Sequence, residues 1–356
     1  MKTDTIGSNA KRVPSLDGLR ALSVGFVLFD HLTLAGALPW RQSWIDFGNL
    51  GVRIFFVISG FIITRLLMEE RRSSGSISLK NFYIRRFFRI VPIWACYMGV
   101  VLLVHYRRHS LPTATELIGV LTYNADYVHA SSSDFQHLWS LSIEEKFYLL
   151  WPFTLSFAGQ RKAARVGLAA LAIAPAIRCF SSIHGASYAD LLWPFHNSAD
   201  AIATGCLLAF AWEWIGNHRD LAAKLSSPGG TFSALGAMLG VAACHKAGPV
   251  FWLVGPTLMN MLAASVIYGV VANPNSVIGF LLNTSVMREI GRWSYGIYLW
   301  QQPLTLHRKL GLIAVFPFNV VALALISMVG YYLVEKRTQD YGRRITSRRR
   351  GVRVSG

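Results

Sequence analysis

Charge is scarce in this chain. Only 15% of its 356 residues are Asp, Glu, Lys or Arg, against about 25% in an ordinary soluble domain. With 53% hydrophobic residues and a mean hydropathy of +0.38, that scarcity excludes a disordered chain, because so much apolar surface cannot remain in water. It excludes a coiled coil and a collagen-like repeat as well. Acids are scarcer than bases: 18 Asp and Glu stand against 35 Lys and Arg, for a net charge of +17. In a soluble protein that excess would point to nucleic acid. No soluble binding fold is legible, so no nucleic-acid partner is expected, and the bases are assigned to the cytoplasmic side of a membrane protein. Cysteine is limited to Cys96, Cys179, Cys206 and Cys244, each in an apolar stretch. No CxxC and no Cys/His cluster has metal-ligand spacing, so no metal is expected. The N-terminal stretch lacks the short apolar core and small-residue cleavage pattern of a secretory leader, and no internal repeat is visible.

What the chain has instead is a succession of apolar runs. A bilayer core needs about 20 apolar residues per helix, and such runs lie near 19–38, 48–68, 88–106, 144–159, 163–180, 198–215, 230–246, 250–272, 291–308 and 312–335. The predicted fold is therefore an all-α, polytopic transmembrane bundle of about ten spans. With a cytoplasmic N-terminus, Lys and Arg concentrate in the inside segments, which is the positive-inside signature; an even number of spans then puts both termini inside. Residues 1–340 read as one membrane domain. Residues 341–356 read as a basic cytoplasmic tail, in which Arg343, Arg344, Arg348, Arg349, Arg350 and Arg353 suit an anionic membrane surface. Membrane lipids are thus expected partners.

Ionisable residues inside spans are costly and are functional candidates by default. Span 1, LRALSVGFVLFDHL, holds Arg20, Asp30 and His31. Arg20 and His31 are eleven steps apart, close to three helical turns, so they share a face about 16 Å apart. The plainer readings are an interfacial snorkelling Arg20 and a helix–helix hydrogen bond for His31. In span 2, GVRIFFVISGFIITR, Ser59 and Gly60 either let helices pack closely or let a substrate approach the backbone. In NFYIRRFFRIVP, Arg85, Arg86 and Arg89 share a helical face. They are either positive-inside charge within an aromatic belt or a phosphate site, since guanidinium forks suit phosphate oxygens. In HLWSLSIEEKFYLLWP, Glu144 and Glu145 follow His137 and Trp139. Acids in a first helical turn are also ordinary dipole partners, and these two point about 100° apart, so one alone faces a common site. Asp200 enters span 6, and Glu335 reads as an interfacial partner of Lys336 and Arg337.

Taken in order, SLDGLRALSVGFVLFDHL, GVRIFFVISGFIITR, FYIRRFFRIVP, HLWSLSIEEKFYLLWP, HNSADAIATGCLLA, GRWSYGIYLWQQPL and LVEKR resemble the acyltransferase-3 family of integral-membrane O-acyltransferases that modify bacterial surface glycans. The resemblance runs from about residue 15 to 337, nearly the whole chain. Each piece is weak alone, and their joint order is specific. It implies ten helices, a cytoplasmic acyl-CoA donor (acetyl-CoA expected) and transfer to a hydroxyl of a cell-surface or lipid-linked saccharide, in the plasma (cell inner) membrane. By position, Arg20 and His31 match the essential pair, Arg85, Arg86 and Arg89 the basic motif, and Glu144 the acidic position. Family members often carry His where this chain has Gln301, and a bulky apolar residue is commoner at Asp30. The esterase-like domain that some relatives carry after the last span is not expected on this reading.

On that resemblance, His31 is expected to act as general base toward the acceptor hydroxyl or as an acyl relay, with Glu144 or Asp30 steadying the ring. Arg20, Arg85, Arg86 and Arg89 would hold the CoA phosphates. Ser59 and Gly60 would line the donor passage, and Asp30, Trp139 and Tyr148 the acceptor side. A transporter or flippase for a lipid-linked glycan is the rival reading. It leaves the arginine cluster and the Arg20–His31 spacing unexplained, and no inverted halves are visible.

Overall fold

The structure is a computed structural model and describes residues 13–38, 44–306, 311 and 315–351. Residues 307–308 and 312–314 of the last two expected spans, Arg353, and the side chains of Arg348, Arg349 and Arg350 lie outside the described residues. Among those described, every regular element is helical. In chain order they are α1 (Pro14–Leu34), α2 (Phe47–Ser74), α3 (Leu79–Arg107), α4 (Ala114–Leu121), α5 (Ser133–Gln136), α6 (Leu138–Ile183), α7 (Tyr188–Leu192), α8 (Phe195–Asn217), α9 (Arg219–Ser226), α10 (Pro228–Ala243), α11 (Pro249–Ala272), α12 (Val277–Leu282), α13 (Ser285–Thr305), α14 (Phe318–Gly330) and α15 (Lys336–Gly351). A 3₁₀ turn covers Ala125–Tyr127, and a π-turn, Tyr331–Glu335, joins α14 to α15.

The sequence sets these boundaries through caps. The Asp46 side chain accepts from the Asn49 backbone N–H at the start of α2, and Gly75, at φ 74°, closes it. Ser78 caps α3 in the same way, and Thr113 with Glu116 forms a reciprocal capping box on α4. The two expected spans at 144–159 and 163–180 share α6. Gly159, at φ 75° and ψ 171°, breaks its helical geometry between them, a conformation open to glycine and strained for other residues. Among the described residues, five stretches are long and apolar enough to cross a membrane: Phe47–Ser74, Leu79–Arg107, Ser133–Ile183, Pro249–Ala272 and Phe318–Ser347.

The chain divides into two compact units. The first comprises Met1–Asp30, Trp40–Ile77 and Ser142–Gly291. Its core includes Leu50, Val57, Ile58 and Phe61 of α2, Leu208 of α8, and Met259 and Ile267 of α11. Here α2 and α8 touch backbone to backbone. A Cβ on Gly60 would lie 2.1 Å from the Ile202 carbonyl oxygen, and one on Gly205 2.0 Å from that of Val57. Small residues allow such contact, which rewards dispersion where no water is expelled. Gly60 thus has a packing role.

The second unit comprises His31–Pro39, Ser78–Leu141 and Arg292–Gly356. In it α15 lies along α3, with the Phe88 and Tyr341 rings edge-on at 5.2 Å. Glu335 departs from its expected place at the interface. It is 3% exposed, within the π-turn, and its Oε1 lies 3.6 Å from where a Cβ on Gly296 of α13 would stand. The extra residue of a π-turn re-aims the side chains after it, and here it turns Glu335 inward.

Candidate active site

The histidine singled out in span 1 lies near the end of α1, half-buried, and opens the second unit. Its two ring nitrogens face two consecutive amides of α13. Nδ1 is 3.2 Å from Oε1 of Gln301, and Nε2 is 3.2 Å from Nε2 of Gln302. Oε1 of Gln302 is in turn 3.0 Å from Nδ1 of His137. Gln301, Gln302 and His137 are 0%, 4% and 2% exposed. Tyr298, one helical turn before Gln302, donates its hydroxyl to the His137 carbonyl at 3.0 Å and meets the Ser140 hydroxyl at 2.5 Å. The Tyr97 ring stands edge-on to His137 at 5.7 Å. Trp139 is buried in the same unit.

Arg85, Arg86 and Arg89 project from the first turns of α3, the first two half-buried and the third exposed. The Arg86 guanidinium lies over the Phe82 ring at 5.8 Å, a contact that holds a cation while leaving its donors usable. This stretch is charged on an amphipathic start of helix, and it sits beside the basic α15.

In the first unit, three predicted residues meet. The Ser59 hydroxyl donates to Oε1 of Glu144 at 2.5 Å, and the Tyr148 hydroxyl donates to Ser59 at 3.1 Å. One turn on, Trp151 Nε1 donates to Thr64 at 2.8 Å. Arg20 pairs with Asp17 at 3.6 Å on the same helix. Asp30 is buried, 8% exposed, against Gly48. Near it, burial pushes the Asp46 carboxyl up to about 6; the Asn49 backbone N–H opposes this, and Asp30 adds to it. Among the described residues no group of His, Cys, Asp and Glu could hold a metal ion.

A family model described as an acyltransferase domain matches residues 13–346. The chain belongs to the acyltransferase-3 family. Similar curated proteins include peptidoglycan O-acetyltransferase OatA of Listeria monocytogenes, 31% identical over 83% of this chain and 49% of that protein. Putative peptidoglycan O-acetyltransferase YrhL of Bacillus subtilis is 28% identical over 95% and 56%. O-acetyltransferase OatA of Staphylococcus aureus is 27% identical over 93% and 58%. The chain spans about half the length of these relatives. No solved structure matches.

Two features went unread in the sequence of this family member. One is Gln302, a polar residue beside Gln301 on a helix face that turns inward. The other is a buried ion network in the first unit. Arg178, 0% exposed, forms a two-pronged pair with Asp200 at 3.1 and 2.8 Å, and also donates to Thr257 and to the Asn197 and Trp252 carbonyls. Arg53 lies 3.8 Å from the same Asp200 and donates to Asn49 and Asn260. The signal for Arg178 was present: a lone charge in the apolar run LAIAPAIRCF.

Proposed function

We propose that this chain is a multi-pass membrane O-acyltransferase that carries an acetyl group from acetyl-CoA to a hydroxyl of a cell-surface glycan, at the plasma (cell inner) membrane. The observation that carries this reading is the setting of His31: its two ring nitrogens face amides of Gln301 and Gln302, in a family whose curated relatives bear O-acetyltransferase names.

In the proposed reaction a thioester supplies an already activated acyl group. The difficult part is the acceptor, a hydroxyl that is a poor nucleophile near neutral pH. The hydroxyl takes the place of the Gln302 amide at Nε2 of neutral His31. As its oxygen bonds to the thioester carbonyl carbon, its proton passes to Nε2, an effect of about 10²–10⁴ in rate. The tetrahedral adduct then collapses, the C–S bond breaks, and the imidazolium returns its proton to the leaving thiolate. Arg85, Arg86 and Arg89 take the donor's phosphates, with Arg20 in the role its family position implies. The remaining roles follow the resemblance: Ser59 serves the donor passage, Glu144 is the family's acidic residue, and Asp30, Trp139 and Tyr148 serve the acceptor. The relatives' names make peptidoglycan the first acceptor to try.

The test uses membranes from cells expressing the chain, given acetyl-CoA labelled in its acetyl group. Base-labile label in the glycan fraction, released by muramidase digestion if the acceptor is peptidoglycan, is the expected result. Label that stays with CoA in membranes containing intact wall precursors and glycan would contradict the proposal.

A further inference from the structure

We propose that Gln301 and Gln302 set the tautomer and aim of His31, and that His137 anchors Gln302 for that task; the three are positioning residues. The inference rests on the reading of His31 as the base. It concerns three side chains of this sequence, one of them, Gln301, at the position where family members often carry histidine.

The argument is one of donors and acceptors. A side-chain amide offers N–H donors on one side and a carbonyl acceptor on the other. The Gln302 oxygen, 3.0 Å from Nδ1 of His137, can only accept, so His137 carries its proton on Nδ1. The Gln302 nitrogen can only donate, so Nε2 of His31, 3.2 Å away, is a lone pair. The His31 proton then sits on Nδ1 and is donated to the Gln301 oxygen at 3.2 Å. Each demand agrees with the next, and the pattern is that of two neutral rings at rest. At rest the Gln302 N–H covers the lone pair that the acceptor hydroxyl must reach.

The anchor is needed because a glutamine side chain loses rotamer freedom when it is fixed. His137 supplies the fixed point. Its carbonyl lies 3.0 Å from the Tyr298 hydroxyl and 3.3 Å from that of Ser140, one of which donates to it while the other bridges the two hydroxyls, and its ring is bracketed by Tyr97 and Tyr298 at 5.7 and 5.6 Å. The competing view is that these groups only satisfy one another as buried polar atoms must.

The experiment measures acetyl transfer from labelled acetyl-CoA at saturating donor, in membranes, together with donor KM and the melting temperature of each purified variant. Gln302→Glu is nearly isosteric, and its carboxylate can only accept, so it demands a proton on the very nitrogen that should be free. It is expected to lower the maximal rate by about 10–100-fold, the size of effect that lost orienting partners have on metal-ligating histidines, with donor KM unchanged; its melting temperature reads the separate cost of the buried charge. His137→Ala is expected to lower the rate comparably. His137→Asn, whose side-chain N–H replaces Nδ1–H, is expected to retain most of the rate that His137→Ala loses. In Gln302→Leu/His137→Ala the loss should not exceed that of Gln302→Leu alone. A wild-type rate in Gln302→Glu, alongside an inactive His31→Ala, overturns this inference and leaves the base in place. Losses that multiply in the double variant overturn the chain of anchoring. His137→Asn as inactive as His137→Ala makes His137 a proton carrier instead. Normal transfer by His31→Ala fails the underlying reading itself.

Discussion

Nδ1 of His31 and the side-chain oxygen of Gln301 meet at 3.2 Å, across 270 residues of sequence. A neutral amide therefore stands where a triad would place a carboxylate. An amide fixes the ring as a carboxylate does but stabilises the imidazolium less. That suffices for attack on a thioester, whose leaving group needs little help. Gln301→Leu is expected to lower the maximal transfer rate by about 10–100-fold with little change in donor KM. An unchanged maximal rate would remove Gln301 from the site.

Arg86 lies over the Phe82 ring and shares a helix face with Arg85 and Arg89. If the three hold phosphates, Arg86→Ala raises the KM for acetyl-CoA by about tenfold, the equivalent of about 1.4 kcal/mol. Arg86→Lys recovers part of this, because lysine restores charge without the planar fork. The maximal rate stays near wild type. A lowered maximal rate with unchanged KM would assign Arg86 to the structure instead.

Asp200 is the common anion of Arg178 and Arg53. Removing it strands two buried cations, whereas removing Arg178 leaves Asp200 with Arg53. Breaking a buried pair costs about 3–5 kcal/mol, so Asp200→Asn should fall at the upper end and Arg178→Met at the lower. Thermal melts in detergent micelles read the order directly. The reverse order would show that the pair with Arg53 carries little.

Asp46 gives a pH signature. Its carboxyl sits near 6 in the fold, raised by burial, above its ordinary unfolded value. The folded protein thus holds that proton more tightly, and the group costs stability above about pH 6; the cost fades as pH falls from 6 toward 4. Asp46→Asn keeps an N-cap acceptor for Asn49. It should melt higher than wild type at pH 8, with the gap closing as pH falls through 6. A gap independent of pH would contradict the assignment.

Much of this was legible in the sequence because a membrane simplifies the code. Apolar runs matched α8 and α11 to within a few residues but stopped short of the charged end of α2 and the arginine-rich start of α3, and a charge in or beside such a run drew attention to His31, Asp30 and the α3 arginines. Periodicity put Arg20 and His31 on one helix, and motif order named the family. What stayed hidden was contact across long separations. Nothing local says that Ser59 will meet Glu144, or that QQP on α13 will meet both His31 and His137. The kink at Gly159 was invisible as such, since two apolar runs broken by a glycine read equally as two helices. Glu335 was misplaced because a π-turn shifts the phase of a helix by one residue, and no composition rule reports that.

The central claim is that neutral His31 takes the proton of the acceptor hydroxyl. The most direct measurement compares label transfer from acetyl-CoA by wild type and by His31→Ala at matched protein level and melting temperature. The account predicts that transfer disappears in the variant while Arg86-dependent donor binding persists. Equal transfer by the two proteins would contradict it and move the chemistry to another residue.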